Sequence, residues 1–541
     1  MTVESAKTLH NARAPISRLL PDALPHVFAI LSFIEPQMDL SRAAVGYRRL
    51  SDQEQRRKAL GWIRVTHVCT AWRESALCEP RLWSHVTPWT SRKWAAAMVA
   101  RSKASPLTFI ANLGEESDKW LKLAAEVLGP KHLSRLRYFM ICAGPSLVSK
   151  PQLLPTFSGP ASVLDSLEIH SPYGGRSAVV PPSMLDVPLP ALRRFVLRGW
   201  FLSSWSAPFL QNLTDLRLSL SVWDMRSLEK MPTFPELLQI VARSPMLSIL
   251  TLENILGHED VSLPADFVPV VLSHLTELTL VGPALTVTCF LQAVDIPTTT
   301  SVSVTSIGEL EEQTPLIALQ TPRFTTGPPL RTLLLGSDLT KPVLVLQAWD
   351  SEAPSPHSQL CIPRPRLSFR VDLPRRLPED VHIAAWKSLM FLFCTRLRAK
   401  ALDTLTFGGD LLTRLNADDL RELFVSRHIG LSGLTRLAII DGDMTVIFPL
   451  LTERAPDDQD GGPLVLPLLR YLDMQRSATK VPDVKPLMVM LQDRCQRGLP
   501  IRSLMLRMPC TERAWVKMME SSVEELCVRM DENPVGAYLG Y

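Results

Sequence analysis

Three short stretches near the C-terminal end share one pattern: Leu469-Arg-Tyr-Leu472-Asp-Met474, Ile501-Arg-Ser-Leu504-Met-Leu506 and Val523-Glu-Glu-Leu526-Cys-Val528. In each, an apolar residue is followed three positions later by a second, and two positions after that by a third. The last two alternate, so both point to one side of a short strand, and the first closes the turn into it. Asp483 through Arg494 and Glu512 through Met519 read as helices between these strands. The run from 469 to 528 therefore predicts strand, helix, strand, helix, strand. The same pattern recurs upstream at Leu133/Leu136/Tyr138, Leu164/Leu167/Ile169, Leu192/Phe195/Leu197 and Leu213/Leu216/Leu218. It continues at Leu247/Leu250/Leu252, Leu275/Leu278/Leu280, Thr299/Val302/Val304, Leu330/Leu333/Leu335, Leu402/Leu405/Phe407 and Leu434/Leu437/Ile439. The wide gap between 330 and 402 predicts one irregular unit near Leu367-Ser-Phe369.

First positions spaced mostly 21 to 35 residues apart resemble leucine-rich repeats of about 30 residues with a helix per unit. No such unit buries its own leucines, so stacked neighbours supply the core. The segments between support this: Pro235 through Ala242 reads as an apolar-faced helix, and Asn416 caps a second one that begins with acids. Ordinary repeats of this family carry Asn or Cys three residues after the last strand leucine, whereas Trp200, Ile255 and Pro283 stand there in this chain. Proline-rich breaks are expected at 171–190, 312–329 and 351–366. The expected body is a degenerate, irregular leucine-rich-repeat solenoid over 131–530 with a curved parallel sheet. An α/β body of another parallel-sheet topology is the alternative.

The chain has 541 residues, 45 of them proline, which excludes a long helical bundle and favours many short elements. With 46% hydrophobic and 21% charged residues, wholesale disorder is excluded. A net charge of +4 is too mild to indicate nucleic-acid binding. It is unevenly placed: residues 1–105 carry 16 Lys/Arg against 8 Asp/Glu, the remaining 436 carry 42 against 46. Nine cysteines without a C-x-x-C pair read as reduced thiols and offer no zinc ribbon or thioredoxin-type site. No apolar run reaches the roughly 18 residues that a membrane span needs. The expected setting is cytoplasmic or nuclear.

The basic head contains two apolar half-motifs. Leu24, Val27, Phe28 and Leu31 fall at i, i+3, i+4, i+7, one helical face, with Pro21 and Asp22 at its start. Val65, Val68, Cys69 and Trp72 predict a second such face, with Cys69 a small core residue and Trp72 buried. Taken together, Leu19-Leu-Pro21-Asp22, Val27-Phe28-x-x-Leu31, Val68-Cys69-Thr-Ala-Trp72-Arg73 and Pro80-Arg-Leu82-Trp83 resemble an F-box, of the variant common in fungal (basidiomycete) families. The resemblance covers 16–87. It departs from the family pattern at Asp22, Ala23 and Pro25, and carries a long insertion over 35–60. Residues 1–15 are expected to be disordered, 88–130 a helical connector, and 531–541 a tail. Trp62, Trp72, Trp83, Trp89 and Trp94 cluster in this region, first of all as packing between head and body.

The resemblance implies a non-enzymatic substrate receptor of an SCF-type (Skp–cullin–F-box) ubiquitin ligase. Leu19, Pro21, Asp22, Leu24, Val27, Phe28, Leu31, Val65, Val68 and Trp72 would then pack on a Skp-type adaptor, and through it a cullin, or within the F-box core. A target protein would meet outward residues of the repeat strands, with Glu168, Arg217, Thr251, Thr279 and Arg436 as candidates. A non-ligase interaction scaffold is the main rival, and an enzyme with a site in the body the second. No phosphate loop, nucleophile elbow or paired-histidine metal motif occurs, so no catalytic residue, metal site or cofactor is expected. His258-Glu259-Asp260 is a polar trio without a second ligand pair.

Overall fold

Strands and helices alternate along a mixed α/β chain, and the strands pair mostly in parallel. The structure is a computed structural model. It describes residues 23–35, 60–86, 92–113, 117–144, 148–171, 177–221, 230–257, 263–264, 266–338, 343–351, 364–374, 376–397, 401–426, 429–440, 446–454, 464–475, 485–507 and 519–529. Two compact units meet in sequence at Leu247/Ser248. The expected disordered start, most of the 35–60 insertion, the 531–541 tail and nearly all of the 512–519 helix lie outside the described residues.

The first unit opens with helix α1 (Ala23–Ile34), a 3-10 helix over Gly61–His67, helix α2 (Thr70–Cys78) and a short 3-10 turn over Pro80–Trp83. Strand β1 (His85–Val86), helix α3 (Arg92–Arg101), strand β2 (Leu107–Leu113) and helix α4 (Ser117–Val127) follow. Residues 88–130, expected to be a helical connector, thus contain a strand. Leu107, Phe109 and Ala111 alternate and are all buried, but only the small, exposed Ala104 precedes Leu107 at the motif spacing. Strands β3 (Leu136–Ala143), β4 (Ser166–His170), β5 (Arg194–Arg198) and β6 (Asp215–Ser219) complete the sheet, and helix α5 (Phe234–Ala242) comes after it. The six strands pair in parallel in chain order. Phe109, Phe139, Leu167, Phe195 and Leu216 stand in register and are fully buried. Each contributes roughly 1.5–3 kcal/mol by leaving water. The phase expected for β3 is corrected by one residue. A register shift between Leu107 and Thr108 turns Phe139 and Ile141 into the core, and Tyr138 to the opposite face.

The second unit contains strands β7 (Ile249–Glu253) and β8 (Glu277–Pro283), helix α6 (Ala284–Ala293), strand β9 (Ser301–Ile307) and helix α7 (Leu310–Thr326). Residues 312–329, expected as a proline-rich break, lie mostly within α7. Its first turn is held by the Glu309 N–H donating to the Glu312 carboxylate at 3.3 Å, and Leu316 and Ile317 are buried. Strands β10 (Thr332–Asp338), β11 (Val343–Trp349) and β12 (Leu367–Asp372) depart from chain order. β12 pairs with β9 in parallel, β11 lies antiparallel between β12 and β10, and β10 pairs onward with a later strand. The irregular unit expected near Leu367 is therefore a hairpin insertion. Apart from half-buried Gln347, β11 is buried on both faces, so its sequence shows no alternation to read.

Helix α8 (Glu379–Leu397), strand β13 (Thr404–Gly409), helix α9 (Ala417–Val425), strands β14 (Arg436–Ile440) and β15 (Tyr471–Gln475), helix α10 (Lys485–Gln496), and strands β16 (Ser503–Arg507) and β17 (Glu525–Arg529) finish the chain. From β13 to β17 all pairings are parallel and in chain order. Helices cover the apolar face: Phe393 of α8 meets Phe369 at 5.9 Å, and Phe424 of α9 meets Phe407 at 6.4 Å. Capping boxes start α5 at Thr233/Glu236 and α9 at Asn416/Asp419.

Trp200, Ile255 and Pro283, at the positions where Asn or Cys is usual, are buried apolar fillers. Two buried arginines and the half-buried Arg135 satisfy main-chain carbonyls. Arg494 of α10 is fully buried and donates to the carbonyls of Leu451, Val465, Leu466 and Leu469 at 3.1–3.4 Å. Burial pushes its guanidinium down to about 10, so it stays charged at neutral pH. Arg366 bonds Pro328 and Thr298 carbonyls at 2.5 Å, and Arg135 bonds those of Ser105 and Val99 at 2.9 and 3.1 Å. Arg494→Met removes the donors from four inward carbonyls and should cost about 3 kcal/mol in urea unfolding. Arg497→Met, which breaks an exposed pair with Asp493, should stay within about 0.5 kcal/mol. Equal effects of the two would contradict the anchoring role.

Candidate interaction surfaces

The head is fastened by aromatic contacts. Phe28 on α1 is fully buried and meets the half-buried Trp72 ring of α2 at 5.2 Å. Trp62 meets Trp83 at 5.2 Å, and the Trp83 Nε1–H donates to the Ala76 carbonyl at 2.8 Å. Trp94 of α3 and the Arg101 guanidinium close over Trp83 at 6.0 and 4.6 Å. The backbone N–H of Trp62 donates to Glu35 O at 2.8 Å, and the Glu35 carboxylate pairs with Arg64. Trp62 and Trp83 are thus packing residues; Trp89 lies outside the described residues.

Of the residues expected at an adaptor interface, Leu19, Pro21 and Asp22 lie outside the described residues. Phe28 and Val65 are buried, while Leu24, Val27, Leu31 and Trp72 are half-buried. Val68 is 59% exposed, which corrects the expected second helical face. The 3-10 helix ends at His67, and Cys69 is extended (φ −156°, ψ 171°) before α2 restarts. The break rotates Val68 away from Val65, leaves Cys69 a half-buried cap rather than a core residue, and leaves one side of Trp72 open.

A second face of α1 went unread in the sequence. Ile30, Phe33 and Ile34 are 60%, 91% and 68% exposed. Their i, i+3, i+4 spacing makes one continuous apolar stripe. The signal was present: α1 reads Ala-Leu-Pro-His-Val-Phe-Ala-Ile-Leu-Ser-Phe-Ile and is apolar nearly all round. Such a helix is normally covered on more than one side.

On the first unit's sheet, the face opposite the leucine rows carries a charged network. Glu168 and Arg217, two strands apart in register, are brought together through Arg194 and Asp215. Arg194 pairs with Glu168 and with Asp215, each at 3.0 Å; Arg217 holds Asp215 through two bonds of 2.8 and 3.1 Å. The His170 ring nitrogen lies 3.0 Å from the Glu168 carboxylate. Glu168 is buried, not the solvated outward residue expected. Burial pushes its carboxyl up, but hydrogen bonds from His170 and Tyr138 and the charge of Arg194 outweigh this and hold it below the usual range. Burial and the Glu168 charge push the Tyr138 hydroxyl upward. Val196, surrounded by these groups, is 1% exposed.

On the second unit's sheet, Thr251 and Thr279 are register neighbours in a row continued by Ser303 and Ser368, and the Gln347 amide donates to Ser368 Oγ at 3.2 Å. Arg436 lies over the Tyr471 ring at 5.0 Å. Asp473 sits between Ala438 and Met505 on the adjacent strands. Burial there pushes its carboxyl up to about 6, against the opposing pull of Arg436.

His258, Glu259 and Asp260 lie outside the described residues, and among the described ones no group of three or more His, Cys, Asp or Glu is placed to hold a metal ion. No helix among them is long and apolar enough to cross a membrane. No family model matches the chain, and no curated protein matches it.

Asp473 makes a pH signature. Its folded-state affinity for a proton exceeds that of the unfolded chain, so its contribution is fully present below pH about 4 and is lost as pH rises through about 6. The unfolding free energy of the parent minus that of Asp473→Asn should therefore fall between those values and level off above them. A difference that rises with pH would contradict the buried, proton-binding carboxyl.

Proposed function

We propose that this chain is the substrate-recognition subunit of an SCF-type ubiquitin ligase, with an F-box head for a Skp-type adaptor and a degenerate leucine-rich-repeat solenoid for a target protein. The observation that carries the reading is the apolar stripe of Ile30, Phe33 and Ile34 on a helix whose other side is already fastened through Phe28 and Trp72. A helix held on one side and apolar on the other fits a second protein against its free side, and the F-box resemblance names the partner class. The resemblance further implies that Leu19, Pro21 and Asp22 join this contact. Parallel strands that follow chain order, with leucines in register, support the repeat reading of the body. On this reading the chain performs no chemistry. It raises the effective concentration of the target beside the ubiquitin-carrying enzyme.

The test is capture of the full chain by purified Skp-type adaptor, with Phe33→Asp as the variant. Phe33 is 91% exposed, so the change should leave folding within about 0.5 kcal/mol. A charge set into an apolar interface should weaken capture at least tenfold. Equal capture of parent and variant, or no capture of the parent, would contradict the proposal.

A further inference from the structure

Beside the charged network of the first unit lies an arginine that does not join it. Arg198 ends β5 on the same face as His170 and Ser219, its register partners in β4 and β6. The two nearby carboxylates are already occupied: Glu168 by His170, Tyr138 and Arg194, and Asp215 by Arg194 and by both bonds from Arg217. No carboxylate pairs with Arg198 among the described residues, and its Nε is buried without a hydrogen-bond partner. Arg366 and Arg494 also bury an unpaired Nε, but their terminal nitrogens hold main-chain carbonyls, whereas the Arg198 side chain has no such acceptor among the described residues. Its planar fork suits one ligand chemistry above others, a group with two oxygens sharing a negative charge. The surroundings suit such a group as well. Arg194 and Arg217 are neutralised by Glu168 and Asp215, so they neither compete for a ligand nor move to meet it, and Arg198 supplies the uncompensated charge.

We propose that Arg198 anchors an oxyanion site on this sheet face, and that its ligand is a carboxylate or phosphoryl group carried on a peptide. That the peptide belongs to a ubiquitination target rests on the function proposed above; the oxyanion site itself does not.

The test uses the full chain and two labelled decapeptides in a Gly/Ser background, one with several glutamates and one with a single phosphoserine. Binding is read by fluorescence anisotropy at low salt. At least one peptide should bind the parent, and Arg198→Met should weaken it at least tenfold. Arg193→Met, at an exposed arginine before the opposite end of β5, should change it less than twofold. Arg198→Lys, which keeps the charge and loses the fork, should fall between parent and Arg198→Met. Binding of the phosphopeptide alone assigns the site to phosphoryl groups, and binding of the glutamate peptide alone assigns it to carboxylates. Without peptide, Arg198→Met should melt no lower than the parent, because no internal partner is lost. Binding of neither peptide, binding indifferent to Arg198→Met, or a marked loss of stability in that variant would each overturn the proposal. Adaptor capture should be the same for Arg198→Met and the parent, so failure of this site and failure of the adaptor role are read separately.

Discussion

Within each unit, every strand depends on its neighbour to bury its apolar face. In the first unit Phe109, Phe139, Leu167, Phe195 and Leu216 form one register row; from β10 through β13 to β16, Leu333, Leu405, Leu437, Leu472 and Leu504 form another. A five-residue strand with two inward leucines cannot exclude water from both sides of them. Parallel neighbours do so, and the same pairing satisfies the backbone. One amide before each strand extends the ladder: Thr435 N to Asp403 O, Arg470 N to Thr435 O and Arg502 N to Arg470 O, at 2.8–3.0 Å. The outward residues are free of this packing constraint, which is why charge, hydroxyls and the candidate contacts collect there.

Trp200, Ile255 and Pro283 stand at three of the positions where repeats of the proposed family use Asn, and the long side chains of Arg494, Arg366 and Arg135 serve main-chain carbonyls. The exchange has a physical cost. A guanidinium must be taken from water, and only several acceptors at once offset that. Arg494 meets four carbonyls, and Arg366 and Arg135 each reach two or more groups. These anchors sit at irregular intervals, which matches the uneven spacing of the units.

Much of the sheet was legible because its signal is local. Leu472/Met474 and Leu504/Leu506 alternate, and they form strands where expected. Signals failed where burial is two-sided or register shifts. β11 is covered on both faces and lacks alternation, and the shift beside Leu107 moved the inward phase of β3 from Tyr138 to Phe139. In the head, residue spacing suggested one continuous face through Val65, Val68 and Trp72, but the helix breaks at Cys69. The exposed stripe on α1 was hidden by the opposite problem: nearly every position there is apolar, and sequence alone does not say which side another element already covers. Glu168 and Arg217 were singled out as separate outward residues. Their joining through Arg194 and Asp215 depends on cross-strand register, which no local pattern encodes.

The proposed function divides labour between a head that docks and a body that selects. Hydrogen–deuterium exchange of the full chain, with and without saturating Skp-type adaptor, addresses it most directly. The account predicts added protection at residues 23–34 and 60–72 and none in the sheet of the second unit. Protection confined to the body, or no change in the head at saturation, would contradict it.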